Sequence, residues 1–509
     1  MRFLSPPEDL PQNLLFDDFE THWIHTQLDP SALRSLNEGW QGVFRRTALK
    51  CLPAPQIAQH FSAASGRPTK EIYSMVGLLV IMEFKQWTAE EAADAYSLDA
   101  GVQFALNLAR DHQYVSPRSV ENYKRLLREG DEHCADIFGT VTAALVEELQ
   151  LDITRQRLDS THVFSYMARL TRSNLMAVAV KRFLTQVLRH DPAAHAALPE
   201  ELLQRYAPAE GRIFGYGKAK GGTEELVRRI QQTAEDIHYL IEHFASHANL
   251  NGRSTWQALT RVFQDHCELK PAKGRRGKPV ITLKEKATDP EGKSSRVLQN
   301  PSDPGAGYDG HKGPGYQLQL AQSYGDNEVN LITACLPQSA AESDAASLIP
   351  VIESQADHGL QGEQILADTA YGGDQNVEDC RDAGITLISP VPGKPPEGLP
   401  AGAGAEAGPD NSSATEGTDQ PKNRKERLKQ RRAQQQTEAW KKEYAKRSGQ
   451  EGVNRALDRV TGIKRLVVRG QPAVNMALYL KTVGWNIIKA GWCYAQRGIA
   501  ARKMELQTA

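Results

Sequence analysis

Hydrophobic residues at helical spacing dominate the first part of the chain. In the segment WTAEEAADAYSL, Thr88 and Glu91 form a capping box, and the alanines and tyrosine that follow continue an apolar stripe. In VSPRSVENYKRLLRE, Ser116 can cap a helix that carries Pro117 in its first turn. The pattern predicts a helical N-terminal domain over residues 1–150.

Short helices joined by tight connections are also compatible with a helix-turn-helix. In that arrangement Ser119, Asn122 and Arg125 would face a groove of DNA. Three amphipathic helices that pack on one another explain the same periodicity, and periodicity alone favours this second interpretation.

The pattern changes after residue 150. The segment QRLDSTHV predicts a buried strand that ends at Asp159, within a region assigned to 151–166. Leucines at helical intervals then predict a helical insertion. A polar stretch from Lys270 to Gly307 predicts a loop, so that insertion and loop together cover 167–307.

Helical and strand patterns alternate over residues 308–391. The segments GYQLQLAQSY and VNLITACLPQ predict a β-hairpin. Ser339 and Glu342 form a capping box that predicts the start of a helix, and EQILADTAYGG predicts a short strand ending in Asp368. A further helix and the strand ITLIS follow, and this succession predicts an α/β fold.

The last part of the chain divides by composition. Residues 392–421 are rich in Pro, Gly, Ala and acids, which cannot bury enough apolar surface to order themselves, and they are predicted to form a disordered insertion. Residues 422–509 begin with a basic segment that ends near Arg447. They close with an apolar helix in VNMALYLKTVGWNIIKAGW.

Composition limits the class of protein. A chain of 509 residues exceeds one small core and suggests about two to four domains. A hydrophobic fraction of 40% fits a globular protein. The longest apolar run, Met75 to Phe84, is too short to span a bilayer, and no signal-peptide pattern opens the sequence. We therefore expect a cytoplasmic protein.

The cysteines and the charged residues indicate which kinds of binding site the chain can form. The six cysteines lie far apart without a Cys-x-x-Cys pair, which argues against a disulfide framework and a zinc knuckle. The formal net charge is −1, but the run from Lys422 to Arg447 is strongly basic, and local basic clusters bind phosphate. A solvated basic helix face without a ligand is the alternative interpretation.

Two acids at predicted strand ends indicate a metal site. If their strands are neighbours, Asp159 and Asp368 reach one edge of the sheet, where carboxylates can hold Mg²⁺. Two such ions about 4 Å apart suit the cleavage of a phosphodiester. Glu451 is the candidate third acid, because Tyr444, Arg447 and Glu451 follow one another at helical offsets. In the alternative interpretation, the two aspartates only cap strand ends and Glu451 is an ordinary surface residue of a helix.

These motifs resemble those of the DDE transposases of bacterial insertion sequences, in particular the group with a Y-x2-R-x3-E-x6-K signature. RLDSTHV is similar to their first-acid strand, ILADTAYGG to their second, and YAKRSGQE to the first part of the signature. NPSDPGAGYDGHKGPGYQLQLA resembles the segment that leads into the second catalytic strand. PTKEIYSMVGLLVIMEF with SVENYKRLL resembles the helical N-terminal domain of these proteins.

The resemblance implies a ribonuclease H-like mixed sheet with helices on both faces, plus a helical, DNA-binding N-terminal domain and a helical insertion. It implies that Asp159, Asp368 and Glu451 are catalytic and bind Mg²⁺ or Mn²⁺. Such enzymes hydrolyse DNA at transposon ends and join the freed 3′-hydroxyl to target DNA. The expected partners are therefore transposon-end DNA, target DNA and a second copy of the chain in a homodimer.

The resemblance also implies that Tyr444 and Arg447 contact the DNA backbone near the cut. The chain departs from the signature at one position, because Asp458 stands where the family has lysine. Arg455, Arg459 or Lys464 are the candidates to replace that lysine. The departure keeps two alternatives open: a ribonuclease H-like nuclease without strand transfer, and an inactive DNA-binding regulator derived from a transposase.

The segment YDGHKGPGY offers a second candidate metal pair, Asp309 and His311. Its glycines favour a DNA-facing loop that carries Lys312. His162 lies beside the first acid, and we interpret it as a packed histidine outside the site.

Overall fold

The computed structural model describes residues 23–60, 72–108, 114–129, 131–207, 222–271, 279–393 and 423–508. The predicted disordered insertion at 392–421 lies almost entirely outside these ranges. Within them, no helix combines the length and the apolar character that crossing a bilayer requires.

The described segments between residues 23 and 149 are mainly helical. The capping box at Thr88 and Glu91 is confirmed, and the helix predicted at Pro117 begins there, with the Ser116 hydroxyl accepting the Ser119 N–H. The helices are α1 (Pro30–Glu38), α2 (Trp40–Arg46), α3 (Ala54–Ala58), α4 (Ile72–Lys85), α5 (Ala89–Leu98), α6 (Ala100–Ala105), α7 (Pro117–Glu129) and α8 (Asp131–Leu149).

The first strand, β1 (Arg155–Val163), is longer than predicted, because it continues beyond Asp159. An insertion with its own hydrophobic cluster follows, built around Phe183, Ile237 and Leu259. Its elements are α9 (Arg172–His190), α10 (Pro192–Ala196), α11 (Glu200–Tyr206), α12 (Gly222–Phe244), α13 (Ser254–His266), β2 (Cys267–Lys270) and β3 (Val280–Leu283).

The polar stretch predicted as a loop between 270 and 307 is therefore partly a hairpin. Strands β2 and β3 pair antiparallel, with Cys267 opposite Leu283 and Lys270 opposite Val280. The sequence VITL supplies β-branched residues that favour a strand, and its partner lies before the polar stretch begins.

The remaining sheet elements match the predicted order of hairpin, helix, strand, helix and strand. The helix predicted to start at the Ser339 and Glu342 capping box begins later than predicted. Ser339 ends a strand, and Ser343 caps the helix by accepting the Ala346 N–H. The elements are β4 (Gly307–Asp309), β5 (Gly313–Ser323), β6 (Ile332–Ser339), α14 (Asp344–Ala356), β7 (Gln364–Leu366), α15 (Asp374–Asp382) and β8 (Thr386–Ile388).

The C-terminal part is helical. It consists of α16 (Arg424–Gln434), α17 (Glu438–Ala445), α18 (Gly449–Thr461) and α19 (Gln471–Thr508), with a 3₁₀ turn at Lys446–Ser448 between α17 and α18.

The strands form a mixed sheet in the order β6-β5-β1-β7-β8, and β4 pairs with the first residues of β5. Strands β1, β7 and β8 run parallel, whereas β5 runs antiparallel to both β1 and β6. Helices α14 and α15 bury one face over Leu158 and Ile365. Helices α8, α18 and α19 pack against the other face, where Val163 and Leu318 are buried. This mixed α/β architecture is compatible with the predicted ribonuclease H-like core.

Helix α19 packs closely against the N-terminal helices because glycines recur every seven residues along one face, at 484, 491 and 498. A Cβ at Gly484 would collide with the Phe84 side chain of α4. A Cβ at Gly491 would lie 2.6 Å from the Trp40 backbone nitrogen of α2. The N-terminal helices therefore share one core with the C-terminal helix.

We predict that Gly484→Ala lowers the thermal unfolding midpoint. Alanine favours a helix over glycine by about 1 kcal/mol, but the collision involves the Cβ and Cγ of Phe84, and overpacking costs about 1–3 kcal/mol. Gly452→Ala in α18 is the matched control, since no atom lies within 4 Å of its Cβ position. It should raise the midpoint. A rise in both variants would contradict close packing at Gly484.

Candidate functional site

Strand pairing brings the two predicted aspartates to the same level of the sheet. Strands β1 and β7 are parallel neighbours, with Arg157 opposite Leu366. Two residues further along each strand direction, Asp159 stands across from Asp368. Asp368 follows β7 and caps the 3₁₀ turn Thr369–Tyr371, where its carboxylate accepts the Ala370 N–H at 2.8 Å.

The prediction that the first strand ends at Asp159 is wrong. Asp159 pairs with Leu320 of β5, and pairing continues to Val163 opposite Tyr316. On the other side of β1, pairing with β7 ends at Leu366, two residues before Asp368. At the position of Asp159, β1 is therefore paired on one side only. The two carboxylates therefore lie at a notch in the sheet, and Asp159 is held by an uninterrupted strand.

The charge of Asp159 is unfavourable in this position. Its side chain is only 18% exposed. Burial raises the pKa of the Asp159 carboxyl to about 6; the nearby charges of Asp368 and Asp344 act in the same direction, while Arg447 opposes them. A raised pKa that results from burial and like charges is typical of functional acids.

Asp344 is a third acid near this pair that the sequence did not reveal. It is the first residue of α14 and accepts a hydrogen bond from Gln319 Nε2 at 2.9 Å. Gln319 in turn accepts a hydrogen bond from the Tyr371 hydroxyl. Burial first, then the charges of Asp344, Asp159 and Asp368, raise the pKa of Tyr371, which therefore stays a neutral donor.

The basic segment after residue 423 is tied to the sheet beside the acids. Glu443 of α17 accepts hydrogen bonds from Tyr324 at 2.7 Å and from Gln364 at 3.0 Å. Arg157, two residues before Asp159 on the same strand, donates to the Lys446 carbonyl at 3.2 Å. These contacts hold the 3₁₀ turn that carries Arg447 against β1.

Two predicted DNA-contacting side chains lie beside the acids as a result. Arg447 Nη1 is 3.9 Å from Asp159 Oδ1. The ring of Tyr444 stacks on Trp440 with centroids 4.8 Å apart. The pKa of Tyr444 is raised mainly by burial and further by the charges of Asp368 and Asp159, against the opposing charge of Arg447.

Glu451 is not joined to the aspartates. The buried face of α18 consists of Gln450, Asn454, Leu457 and Thr461. Asn454 Nδ2 lies 3.4 Å from Asp159 Oδ2. Glu451 is exposed on the adjacent face. Within the described ranges, no three His, Cys, Asp or Glu side chains are arranged to hold a metal ion.

The departure from the lysine signature has a structural role. The carboxylate of Asp458 accepts the backbone N–H of Lys464 at 2.9 Å and so holds the turn after α18. Arg455 and Arg459 are exposed along α18, four and eight residues after Glu451, and therefore lie on nearby turns.

The second candidate metal pair is part of a turn. The Asp309 carboxylate accepts the N–H groups of His311 and Lys312 at 2.7 and 2.8 Å, and Lys312 is exposed. His162 is buried against Phe164, with ring centroids 4.6 Å apart. Burial and the charge of Lys312 lower the pKa of His162.

The three residues proposed to face a DNA groove lie on α7. Asn122 and Arg125 are exposed and Ser119 is partly buried. Arg125 forms an ion pair with Glu129 at 2.6 Å, so it is not free in this conformation.

Sequence reasoning missed Arg157, Asn454 and Asp344. Arg157 shares a strand face with Asp159 at a spacing of two, and Asn454 lies one helical turn after Glu451, so weak signals existed for both. For Asp344 the only signal was its place next to the helix cap Ser343.

A family model described as "Transposase DDE domain" matches residues 411–490. This range contains α16, α17, α18 and the first half of α19, and with them Tyr444, Arg447 and Glu451. No curated protein and no solved structure matches the chain.

We predict that Asp159→Asn stabilises the protein at pH 7.5. A folded-state pKa of about 6, raised from 3.8, means that the folded protein loses stability as pH rises through that range. Replacing the carboxylate removes a penalty of up to about 3 kcal/mol at pH 7.5, and the advantage should shrink as pH falls to 4. Thermal unfolding over this pH range measures it.

Asp152→Asn is the control for this pH dependence. Hydrogen bonds from Thr154 lower the pKa of Asp152, so its contribution is essentially complete above about pH 5, and the variant should differ from wild type by a nearly constant amount from there to pH 7.5. A pH-independent effect of Asp159→Asn would contradict the raised pKa.

Proposed function

We propose that the protein is a DDE transposase, which hydrolyses phosphodiester bonds at insertion-sequence ends and transfers the freed 3′-hydroxyl into target DNA. The observation that carries the proposal is the in-register pair Asp159 and Asp368, flanked by Tyr444 and Arg447 from a segment that matches a transposase DDE domain. A mixed sheet buried by helices on both faces agrees with it.

The donor atoms around the pair fit a divalent cation. Mg²⁺ prefers oxygen ligands and retains several waters, so two carboxylates are sufficient to begin a site. The raised pKa of Asp159 reflects burial and negative neighbours, and a bound cation would offset the repulsion. We assign Mg²⁺ or Mn²⁺ to Asp159 and Asp368, with Glu451 of α18 as the proposed third ligand.

When bound, such ions activate the attacking oxygen and stabilise the leaving oxygen of the phosphodiester. The side chains of the chain itself bind and orient the DNA. The guanidinium of Arg447 can pair with a phosphate in two hydrogen bonds, which are shorter and stronger than its 3.9 Å contact with Asp159. Tyr444, stacked on Trp440, offers a hydroxyl donor beside it.

Further contacts with DNA would position the substrate. Arg455 and Arg459 follow the exposed face of α18, and Lys312 lies at the tip of the β4–β5 turn. We assign these cations to the DNA backbone. The exposed face of α7, with Ser119, Asn122 and Arg125, is assigned to reading the DNA end.

Transposon ends and target DNA must meet in one complex, so we propose a homodimer that forms on DNA and acts in the bacterial cytoplasm. A nuclease that does not join strands, or a regulator that only binds DNA, would give different products in the same assay.

We predict that Asp368→Asn abolishes metal-dependent cutting and leaves DNA binding intact. The assay uses labelled DNA that flanks the gene, with Mg²⁺, and follows both cleavage and joining to a plasmid. A loss of roughly 10²- to 10³-fold or more is expected, because a metal site is worth several kcal/mol in the transition state. Asp326→Asn, an exposed acid in the turn after β5, is the control.

Each outcome of this assay has one meaning. Cleavage followed by joining in the wild type supports the transposase, cleavage alone supports the nuclease, and binding alone supports the regulator. Unchanged cutting by Asp368→Asn would remove Asp368 from the site.

We also predict that Mn²⁺ or Mg²⁺ raises the unfolding midpoint of the wild type at pH 7.5 but not that of the double variant Asp159→Asn/Asp368→Asn. Binding to the folded state alone stabilises it by mass action. Because the cation competes with a proton, the shift should fade below pH 6, where Asp159 is protonated. EDTA should reverse it, and an equal shift in the double variant would contradict this ligand assignment.

A further inference from the structure

A groove opens where β1 leaves the sheet. Beyond Val163 the chain pairs with the turn that follows α18: Phe164 N–H donates to the Lys464 carbonyl at 2.8 Å, and Leu466 N–H donates to the Phe164 carbonyl at 2.9 Å. Tyr166 N–H then donates to the Val468 carbonyl at 2.8 Å. Backbone pairing therefore fixes both walls of the groove.

Positive charge dominates this groove. Arg169, Arg465 and Arg469 line a cavity of about 600 Å³, and the residues that line it include no acid. All three arginines are exposed, and no ion pair with a described residue engages them. Arg182 of α9 interacts with this group electrostatically: burial lowers its pKa, and the charge of Arg469 lowers it further. Cations held this close together favour an anionic ligand.

An aromatic side chain accompanies the cations. The ring of Tyr166 is on the groove wall, and the residue is 68% exposed. Phe164 lies deeper, with the Arg169 guanidinium 5.8 Å from its ring centroid. Cations that follow a backbone, together with an exposed aromatic ring on which bases stack, characterise sites for single-stranded nucleic acid. Binding of a DNA duplex through its phosphates would need the cations but no exposed aromatic ring.

The groove is connected to the two acids by one rigid strand. Phe164 is the fifth residue after Asp159, which corresponds to about 17 Å along the strand direction. That length matches about five base-pair steps of DNA. Asp458 supports the groove from the other side, because its carboxylate holds the Lys464 N–H at the start of the paired turn.

We infer that this groove, lined by Arg169, Arg465, Arg469 and Tyr166, binds an unpaired segment of a DNA strand. The phosphates contact the arginines, one base stacks on Tyr166, and the segment lies about five nucleotides from the phosphate held at Asp159. The inference rests on the proposed function, since it takes DNA as the substrate of the acids.

The test measures binding of a fluorescent mixed-sequence single-stranded oligonucleotide and of its duplex, in EDTA so that no cutting occurs. The double variant Arg465→Ala/Arg469→Ala should lower the slope of log K against log salt concentration for the single strand by up to about 1.4. The double variant Arg34→Ala/Arg189→Ala removes two exposed arginines elsewhere and should leave this slope unchanged. Circular dichroism verifies the folding of each variant.

The stacking contact has a separate readout. Tyr166→Leu should weaken single-strand binding about fivefold or more, at an unchanged salt slope and with duplex binding unaffected. Tyr166→Phe should restore binding, because it keeps the ring.

Equal salt slopes in the groove and control variants, or an equal effect of Tyr166→Leu on single strand and duplex, would overturn the inference. Wild-type protein that binds neither DNA would instead count against the proposed function itself. The two failures are therefore distinguishable.

Discussion

The register of β1 between its neighbours is the constraint on which the candidate site depends. Parallel pairing with β7 sets the level of Asp159 relative to Asp368, and antiparallel pairing with β5 holds the strand through Val163. A slip of one residue would turn every side chain of β1 to the other face. Leu158 is buried under α14 and α15 and Val163 under α19 and its neighbours, so both faces resist such a slip.

The candidate site buries a carboxylate, that of Asp159, in a position that is unfavourable for its negative charge. Burying Asp159 near Asp368 and Asp344 raises its pKa to about 6, and only Arg447 among the influences on that carboxyl supplies an opposite charge. The cation does not come from the sheet. It arrives on a segment nearly 290 residues later in the chain, which Glu443 and Arg157 attach to the sheet. The acids are therefore fixed by strand pairing, whereas their counter-charge depends on side-chain hydrogen bonds.

Local sequence patterns predicted which helices and strands form better than they predicted the residues at which these begin and end. The β5–β6 hairpin, the strand before Asp368 and the cap of α5 follow from alternation and capping residues within a few positions. The end of β1 did not, because its continuation to Val163 depends on pairing with β5, about 150 residues away. The start of α14 was misplaced because Ser339 and Ser343 both have capping chemistry, and the end of β6 takes Ser339.

The same distinction applies to the site. Asp159, Asp368, Tyr444 and Arg447 could be selected from motifs, and the fold brings them together. Asp344, Arg157 and Asn454 enter only through contacts between distant elements. Glu451 shows the limit of helical spacing as a guide, because spacing gives a face of α18 but not the rotation of that helix against β1. In this conformation Asn454, not Glu451, faces Asp159.

Asp458 holds the turn that pairs with the chain just beyond the end of β1. Its carboxylate accepts the Lys464 N–H, and this bond starts the turn that pairs with the residues following Val163. The turn carries Arg465 and Arg469. Since β1 also carries Asp159, a DNA strand bound to these arginines would be set at a fixed distance from the acids by a single strand of the sheet.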